Sequence, residues 1–193
     1  MENKKIIEPG TPEFQSLLKK FHKKIGDELD EKVKKGIHEP GHGASHMEMA
    51  LYIFILLGKD LGLTKEQIHV GALATIMHDL WRENIYSSHT RESAETAKMV
   101  LDDMNSIDED VELSQYVKDL VVKLIALHSY RSSRAKDSRI PEEWEFVLLT
   151  IRSADLLSSS GTFGYFRSFS YSGHVLKSML AQIKVIIKNP KKG

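Results

Sequence analysis

The chain has 193 residues, no cysteine, and equal numbers of basic and acidic side chains, 27 Lys+Arg against 27 Asp+Glu. Its length and 41% apolar content fit one soluble domain with a sizeable core, and the charge balance predicts no global field for nucleic acid or an anionic membrane. Without cysteine, disulfides and thiolate metal sites are excluded, so any metal must be held by histidine nitrogen and carboxylate oxygen.

Residues 1–10 read as a flexible tail. They are polar and lack the apolar core of a signal peptide, and the longest apolar run, Leu51 to Leu57, is too short to span a bilayer. The expected location is cytoplasmic. Thr11-Pro12-Glu13 then has the form of a helix start, with a capping Thr, Pro in the first turn and an acid near the positive helix end. Phe14, Leu17, Leu18, Phe21 and Ile25 follow at helical spacing.

Gly36 to Ser45 breaks the pattern with Pro40, Gly41 and Gly43; His38 and His42 in this stretch read by default as surface loop. From His46 a helix runs to about Leu61, with His46, Ala50, Ile53 and Leu57 on one face. Thr64-Lys65-Glu66-Gln67 is a capping box, and its helix runs through Ile68 and Ala72 to the pair His78-Asp79. Trp81 to Ser88 reads as a connection, followed by a helix from near His89. Ser106-Ile107-Asp108-Glu109 reads as a second capping box, opening a helix on which Val121, Leu124 and His128 form one stripe. Tyr130 to Arg139 is a polar loop. Pro141-Glu142-Glu143 opens a helix with Leu148, Ile151 and Asp155 on one face, and a last amphipathic helix is expected over residues 172–187. No stretch alternates long enough to predict a strand. The expected fold is all-α, a single-domain helical bundle over residues 11–189, with a short basic tail at 190–193.

Polar groups on apolar stripes are costly unless something compensates them. His46, His78 with Asp79, His128 and Asp155 all stand on such stripes, which should converge in a bundle core. A single such histidine is most often a satisfied core residue; several together point to a metal site, in which a bound ion activates water and stabilises oxyanions. The remaining histidines and the lysines of the tail receive no role.

The ordered set His46, His78-Asp79, Asp155 resembles the HD-domain superfamily of metal-dependent phosphohydrolases. The resemblance runs from about His42 to Arg167 and is closest to the small stand-alone branch that includes nucleotide pyrophosphohydrolases. It is carried further by His42-Gly43-Ala44-Ser45-His46, by the segment from His89 to Ala94, by Ile125-Ala126-Leu127-His128-Ser129, and by Ala154-Asp155-Leu156-Leu157 with Gly161, Gly164 and Arg167 beyond it. Gly43, Met49, Ser153 and Ser158 depart from the family pattern.

The resemblance implies a helical bundle in which His46, His78, Asp79 and Asp155 bind one divalent ion, among Mn²⁺, Fe²⁺, Mg²⁺, Co²⁺, Ni²⁺ and Zn²⁺. His89 and His128 fall where other branches place second-metal ligands or meet substrate phosphate. The implied activity is hydrolysis of a nucleotide or other small phosphate ester by attack of metal-bound hydroxide on phosphorus. Asp79 would orient the attacking water, and His128 or His89 would protonate the leaving oxygen. Arg82, Arg91 and Arg131 are candidate phosphate-binding residues, since a guanidinium donates two parallel hydrogen bonds to phosphate. The alternatives are a two-metal phosphodiesterase for cyclic nucleotides or dinucleotides, and a non-catalytic metal- or nucleotide-binding bundle. The expected partner is a small phosphorylated molecule, with no membrane and no nucleic acid, and the reading leaves room for a homodimer.

Overall fold

The computed structural model describes residues 4–39, 41–81, 89–129 and 140–158. The expected connection at 82–88, the loop at 130–139 and everything beyond Ser158, including the last amphipathic helix, lie outside the described residues. The rest is an all-α bundle of six described helices, as its apolar periodicities predict.

Helix α1 spans Pro12–Lys34, and its start follows from local chemistry: the Thr11 hydroxyl accepts from the Phe14 amide at 3.2 Å, and Pro12 opens the first turn. Its buried stripe is Phe14, Leu17, Phe21, Ile25 and Leu29. Helix α2 spans Ala44–Asp60 and borrows its cap from α1, because Asp30 Oδ1 accepts from the Ala44 amide at 3.0 Å. Helix α3, Lys65–Met77, carries both halves of the expected capping box between Thr64 and Gln67.

From Val70 to Leu80 every residue is buried, so α3 is the central element of the bundle. Helices α1, α2, α5 and α6 all pack on it. Close approach on one side requires Gly71, where a Cβ would stand 2.2 Å from Phe54 Cζ and 2.8 Å from Val147 Cγ1. Helix α4 is His89–Asp102, α5 is Gln115–Leu127 and α6 is Glu145–Ser158. A 3-10 turn at Glu142–Trp144 precedes α6, and the Trp144 indole N–H donates to the Tyr116 hydroxyl at 3.1 Å.

Two expectations are corrected. Ser106 does not open a helix: it ends a 3-10 turn, Met104–Ser106, and α5 begins nine residues later under the Ser114 side chain, which accepts from the Val117 amide. The apolar residues Val111 and Leu113 explain the difference, since both are buried and hold the intervening chain extended. Residues 5–7 are also no loose tail. Lys5–Ile6 (β1) pairs in parallel with Val111–Glu112 (β2), and Ile7 is buried. The pairing closes the α1 end of the bundle onto the segment before α5.

Phe54 and Val147 are both fully buried, so neither can yield cheaply to an added methyl at Gly71. Gly71→Ala should therefore destabilise the fold by about 1–3 kcal/mol, the usual cost of overpacking. Urea unfolding should show a lower midpoint at unchanged slope; unaltered stability would contradict the packing.

Candidate metal centre

Five helices deliver side chains to one place. His46 lies in the first turn of α2, His78 and Asp79 follow the end of α3, His89 begins α4, His128 follows α5, and Asp155 lies in the last turn of α6. Their imidazoles form an unbroken file: His42–His46, His46–His78 and His78–His128 each have ring centroids 5.2 Å apart, and His128–His89 5.5 Å.

Two local devices fix the ring orientations. His78 and His128 each occupy the residue just past a helix, and each Nδ1–H donates to the carbonyl three residues back, Thr75 and Ile125, at 2.7 Å in both cases. Each bond gives a last-turn carbonyl a side-chain donor. It also leaves Nε2 of both rings as the lone-pair nitrogen. His46 is oriented differently. The Ser158 hydroxyl donates to the Asp155 carbonyl at 2.7 Å, so it accepts from His46 Nδ1 at 3.1 Å, and again Nε2 carries the lone pair.

The Nε2 atoms of His46 and His78 then face each other at 3.3 Å. Around them, His46 Nε2 lies 3.4 Å from Asp79 Oδ2 and 3.2 Å from Asp155 Oδ1; the corresponding distances from His78 Nε2 are 3.5 and 3.7 Å. Two donors each about 2.1 Å from a shared ion stand about 3.0 Å apart at a right angle and about 3.4 Å apart at the tetrahedral angle. The separations of 3.2, 3.3 and 3.4 Å fall in that range, and the two from His78 Nε2 to the carboxylates, 3.5 and 3.7 Å, lie just beyond it. His42, His46 and Asp79, then His46, His78 and Asp155, then His78, Asp79 and His128, each form a group with ligand spacing. The cluster can hold a divalent metal ion, and its nitrogen and oxygen donors suit the harder and borderline ions.

The outer supports are specific. Lys32, itself paired with Glu28 at 2.8 Å, donates to the Leu80 carbonyl at 3.0 Å and so ties the turn after α3 to α1. Ser93 Oγ accepts from the Trp81 amide and donates to the Trp81 carbonyl, which fixes α4, and with it His89, against the same turn. Arg152 donates through Nε and Nη2 to the Leu127 carbonyl at 3.1 and 2.7 Å, holding the end of α5 beside α6.

The electrostatics agree with a site built for a cation. Burial pushes the His78 pKa down, but Asp79, then Asp155, and the Thr75 carbonyl outweigh it and raise the value to about 9. Burial and then the His78 charge depress His128 to about 4, against the smaller opposing pull of Asp79 and Asp155. Burial would raise Asp155, but the His46 and His78 hydrogen bonds hold its carboxyl well below the usual range. In the metal-free protein a proton on His78 thus separates the two Nε2 lone pairs. Among the four expected ligands Asp155 is the most accessible: its side chain is 29% exposed, while those of His46, His78 and Asp79 are at most 3% exposed.

The expected ligands His46, His78, Asp79 and Asp155 are together, and His128 and His89 extend the file. His128 Nε2 is buried and has no hydrogen-bond partner among the described residues. Arg91 is not part of the cluster: its side chain is 74% exposed on α4 and pairs with Glu95 at 3.6 Å. Arg82 and Arg131 lie outside the described residues. The expected surface-loop placement is corrected for both His38 and His42, which are buried, and His42 has Nδ1 2.5 Å from Asp79 Oδ2 and Nε2 3.6 Å from Glu39 Oε2. The available signal was the four-residue step from His42 to His46. Ser158 was noticed only as a departure from a pattern, yet it orients His46.

Comparison with protein-family models, with curated proteins and with solved structures finds no match.

Metal must displace the His78 proton. Binding at pH 7.5 should release about one proton, and the apparent affinity should rise about tenfold per pH unit until it levels off near pH 9. Calorimetry in buffers of different ionisation enthalpy measures the proton count; zero release would contradict the assignment. Stability of the metal-free protein should peak near pH 6.5. As pH rises from there to about 9 the folded state's extra proton on His78 is lost, and as pH falls towards 4 the unfolded state gains a proton that buried His128 refuses.

Proposed function

We propose that this chain is a metal-dependent phosphohydrolase of the HD-domain type, acting on a nucleotide or another small phosphate ester. The observation that carries the reading is the convergence of His46 Nε2, His78 Nε2, Asp79 Oδ2 and Asp155 Oδ1 within ligand spacing, with both imidazoles oriented to point lone pairs at one another. The ordered motif resemblance from His42 to Arg167 supports the phosphohydrolase class.

His46, His78, Asp79 and Asp155 would hold the ion, which when bound acidifies water and offsets phosphoryl charge. The protein's own groups divide the remaining work. His42 donates to Asp79 and fixes the carboxylate that faces both ligand histidines. Asp155 stands where solvent and substrate reach the cluster. His128, neutral at physiological pH, is an acceptor through Nε2, which leaves proton donation to His89 at the outer end of the file. Arg82 and Arg131, adjoining the ligands in sequence, would meet the phosphoryl oxygens, and Arg91 would do so only by leaving Glu95.

A two-metal phosphodiesterase is the second reading, favoured by one observation: the buried Nε2 of His128, without a hydrogen-bond partner among the described residues, beside His78 and Asp79. Elemental analysis of the purified protein separates one ion per chain from two.

The deciding experiment combines metal analysis with a panel of nucleotides, phosphomonoesters and cyclic dinucleotides, run with Mn²⁺, Fe²⁺, Mg²⁺, Co²⁺, Ni²⁺ and Zn²⁺. We expect phosphate, pyrophosphate or a linear nucleotide to be released with at least one ion. His78→Ala and Asp79→Ala should lose metal and lower turnover by at least about 1000-fold, since the ion's contribution is several kcal/mol. Full metal content in both variants would refute the site; retained metal with no turnover on any substrate would refute the enzyme.

A further inference from the structure

A cleft of about 630 Å³ opens between α1, α2 and α3, and none of its lining residues belongs to the metal cluster. Its floor is made by two apolar stripes at helical spacing: Leu51 and Ile55 on α2, and Ile68, Ala72 and Ile76 on α3, with Leu18 of α1 closing one side. The eight helical steps from Ile68 to Ile76 give this floor a length of about 12 Å.

The rim is cationic. Lys19 of α1, Lys59 of α2 and Lys65 of α3 line the cleft, and among the described residues no Asp or Glu does. Among the described residues none of these three lysines makes an ion pair, whereas the chain as a whole balances acids and bases. Lys59 continues the Leu51–Ile55 stripe by one turn, and Lys65 lies one turn before His69, so both stand at the same end of the floor. His69 adds a directed donor there. Its Nδ1 accepts from the Gly10 amide at 2.9 Å and its ring stacks on Phe14 at 5.3 Å, which places the ring proton on Nε2. Burial and then Lys65 lower its pKa and keep the ring neutral.

We propose that this cleft binds a single-chain amphiphilic anion, its alkyl part along the α2 and α3 stripes and its carboxylate or phosphate head at Lys59, Lys65 and the His69 N–H. A volume of this size, an apolar lining and a few convergent polar groups are the usual make-up of a small-molecule site. The apolar floor excludes a fully charged molecule, and the lysines of the rim select against a cationic one. The inference stands apart from the metal site and from the activity proposed for it.

The test uses the full chain, with chelator present so that the metal site cannot bind the probe. Sodium dodecanoate and dodecyl phosphate are titrated below their micelle concentrations by calorimetry. We expect one saturable site per chain, no binding of dodecyltrimethylammonium at the same concentrations, and none of acetate. Lys59→Glu combined with Lys65→Glu, both at exposed positions, should weaken binding at least tenfold, as should Leu51→Trp, which fills the floor from a partly buried position. Circular dichroism confirms that both variants fold. Unchanged affinity in the charge variant overturns the proposal. So does equal binding of the cationic amphiphile, multi-site uptake with loss of helical signal, or no binding at all, the result expected if the chain's own residues 159–193 fill the cleft. Capture on phosphatidylglycerol vesicles without binding of free dodecanoate would also overturn it, replacing a small-molecule site with a membrane-facing surface.

Discussion

The constraint on which the site depends is the meeting of two imidazole lone pairs. His46 Nε2 and His78 Nε2 stand 3.3 Å apart because each ring's other nitrogen is committed as a donor, His46 to Ser158 and His78 to the Thr75 carbonyl. Two lone pairs at that separation repel unless a cation lies between them. Asp79 and Asp155 then bring two carboxylate oxygens to the same point, which is tolerable in a buried place only if positive charge is there as well. A proton on His78 provides the minimum, and a divalent ion provides more. The packing, the hydrogen bonds and the electrostatics are all consequences of keeping a place for that charge.

The fold meets the constraint by repeating one local solution. Thr75-Ile76-Met77-His78 and Ile125-Ala126-Leu127-His128 are both last turns of buried helices followed by a histidine that donates back to the first residue of the four. The negative end of each helix favours such a donor. The same hydrogen bond that ends the helix therefore aims Nε2 outward from it. Because α3 is buried along its whole second half, its end is positioned by packing on four other helices, and Lys32 and Ser93 fix the residues that follow. A metal centre at the end of a rigid central helix is positioned more sharply than one on loops.

Much of this was legible in the amino-acid order, for identifiable reasons. His78, His128 and Asp155 stood on apolar helical stripes, and a periodic stripe reports direction as well as element type. The Thr64 capping box was legible because both of its partners lie within one turn. His42 was not legible in the same way. It lies before α2, among glycines and Pro40, where periodicity says nothing, and its burial depends on the distant Asp79. The misplaced helix start at Ser106 has a similar origin. Its capping-box pattern is local, while the outcome was decided by Val111 and Leu113 entering the core and by Lys5–Ile6 pairing beside them. Long-range burial overrode a local signal.

Ser158 shows how a neutral side chain can be part of the design of a site. A carboxylate in its place would hold His46 Nδ1 more strongly, because a charged acceptor makes the stronger hydrogen bond. It would also add a further buried negative charge next to Asp155, whose carboxyl is held ionised by His46 and His78. The serine hydroxyl instead takes the His46 proton as a neutral acceptor and sends its own proton to the Asp155 carbonyl, so one side chain links α2 to the last turn of α6 without adding charge. Asp79 and Asp155 would then balance a divalent ion one for one, with Glu39 set back behind His42. An anionic substrate approaching past Asp155 would meet a site without the excess negative charge that an acid at position 158 would bring.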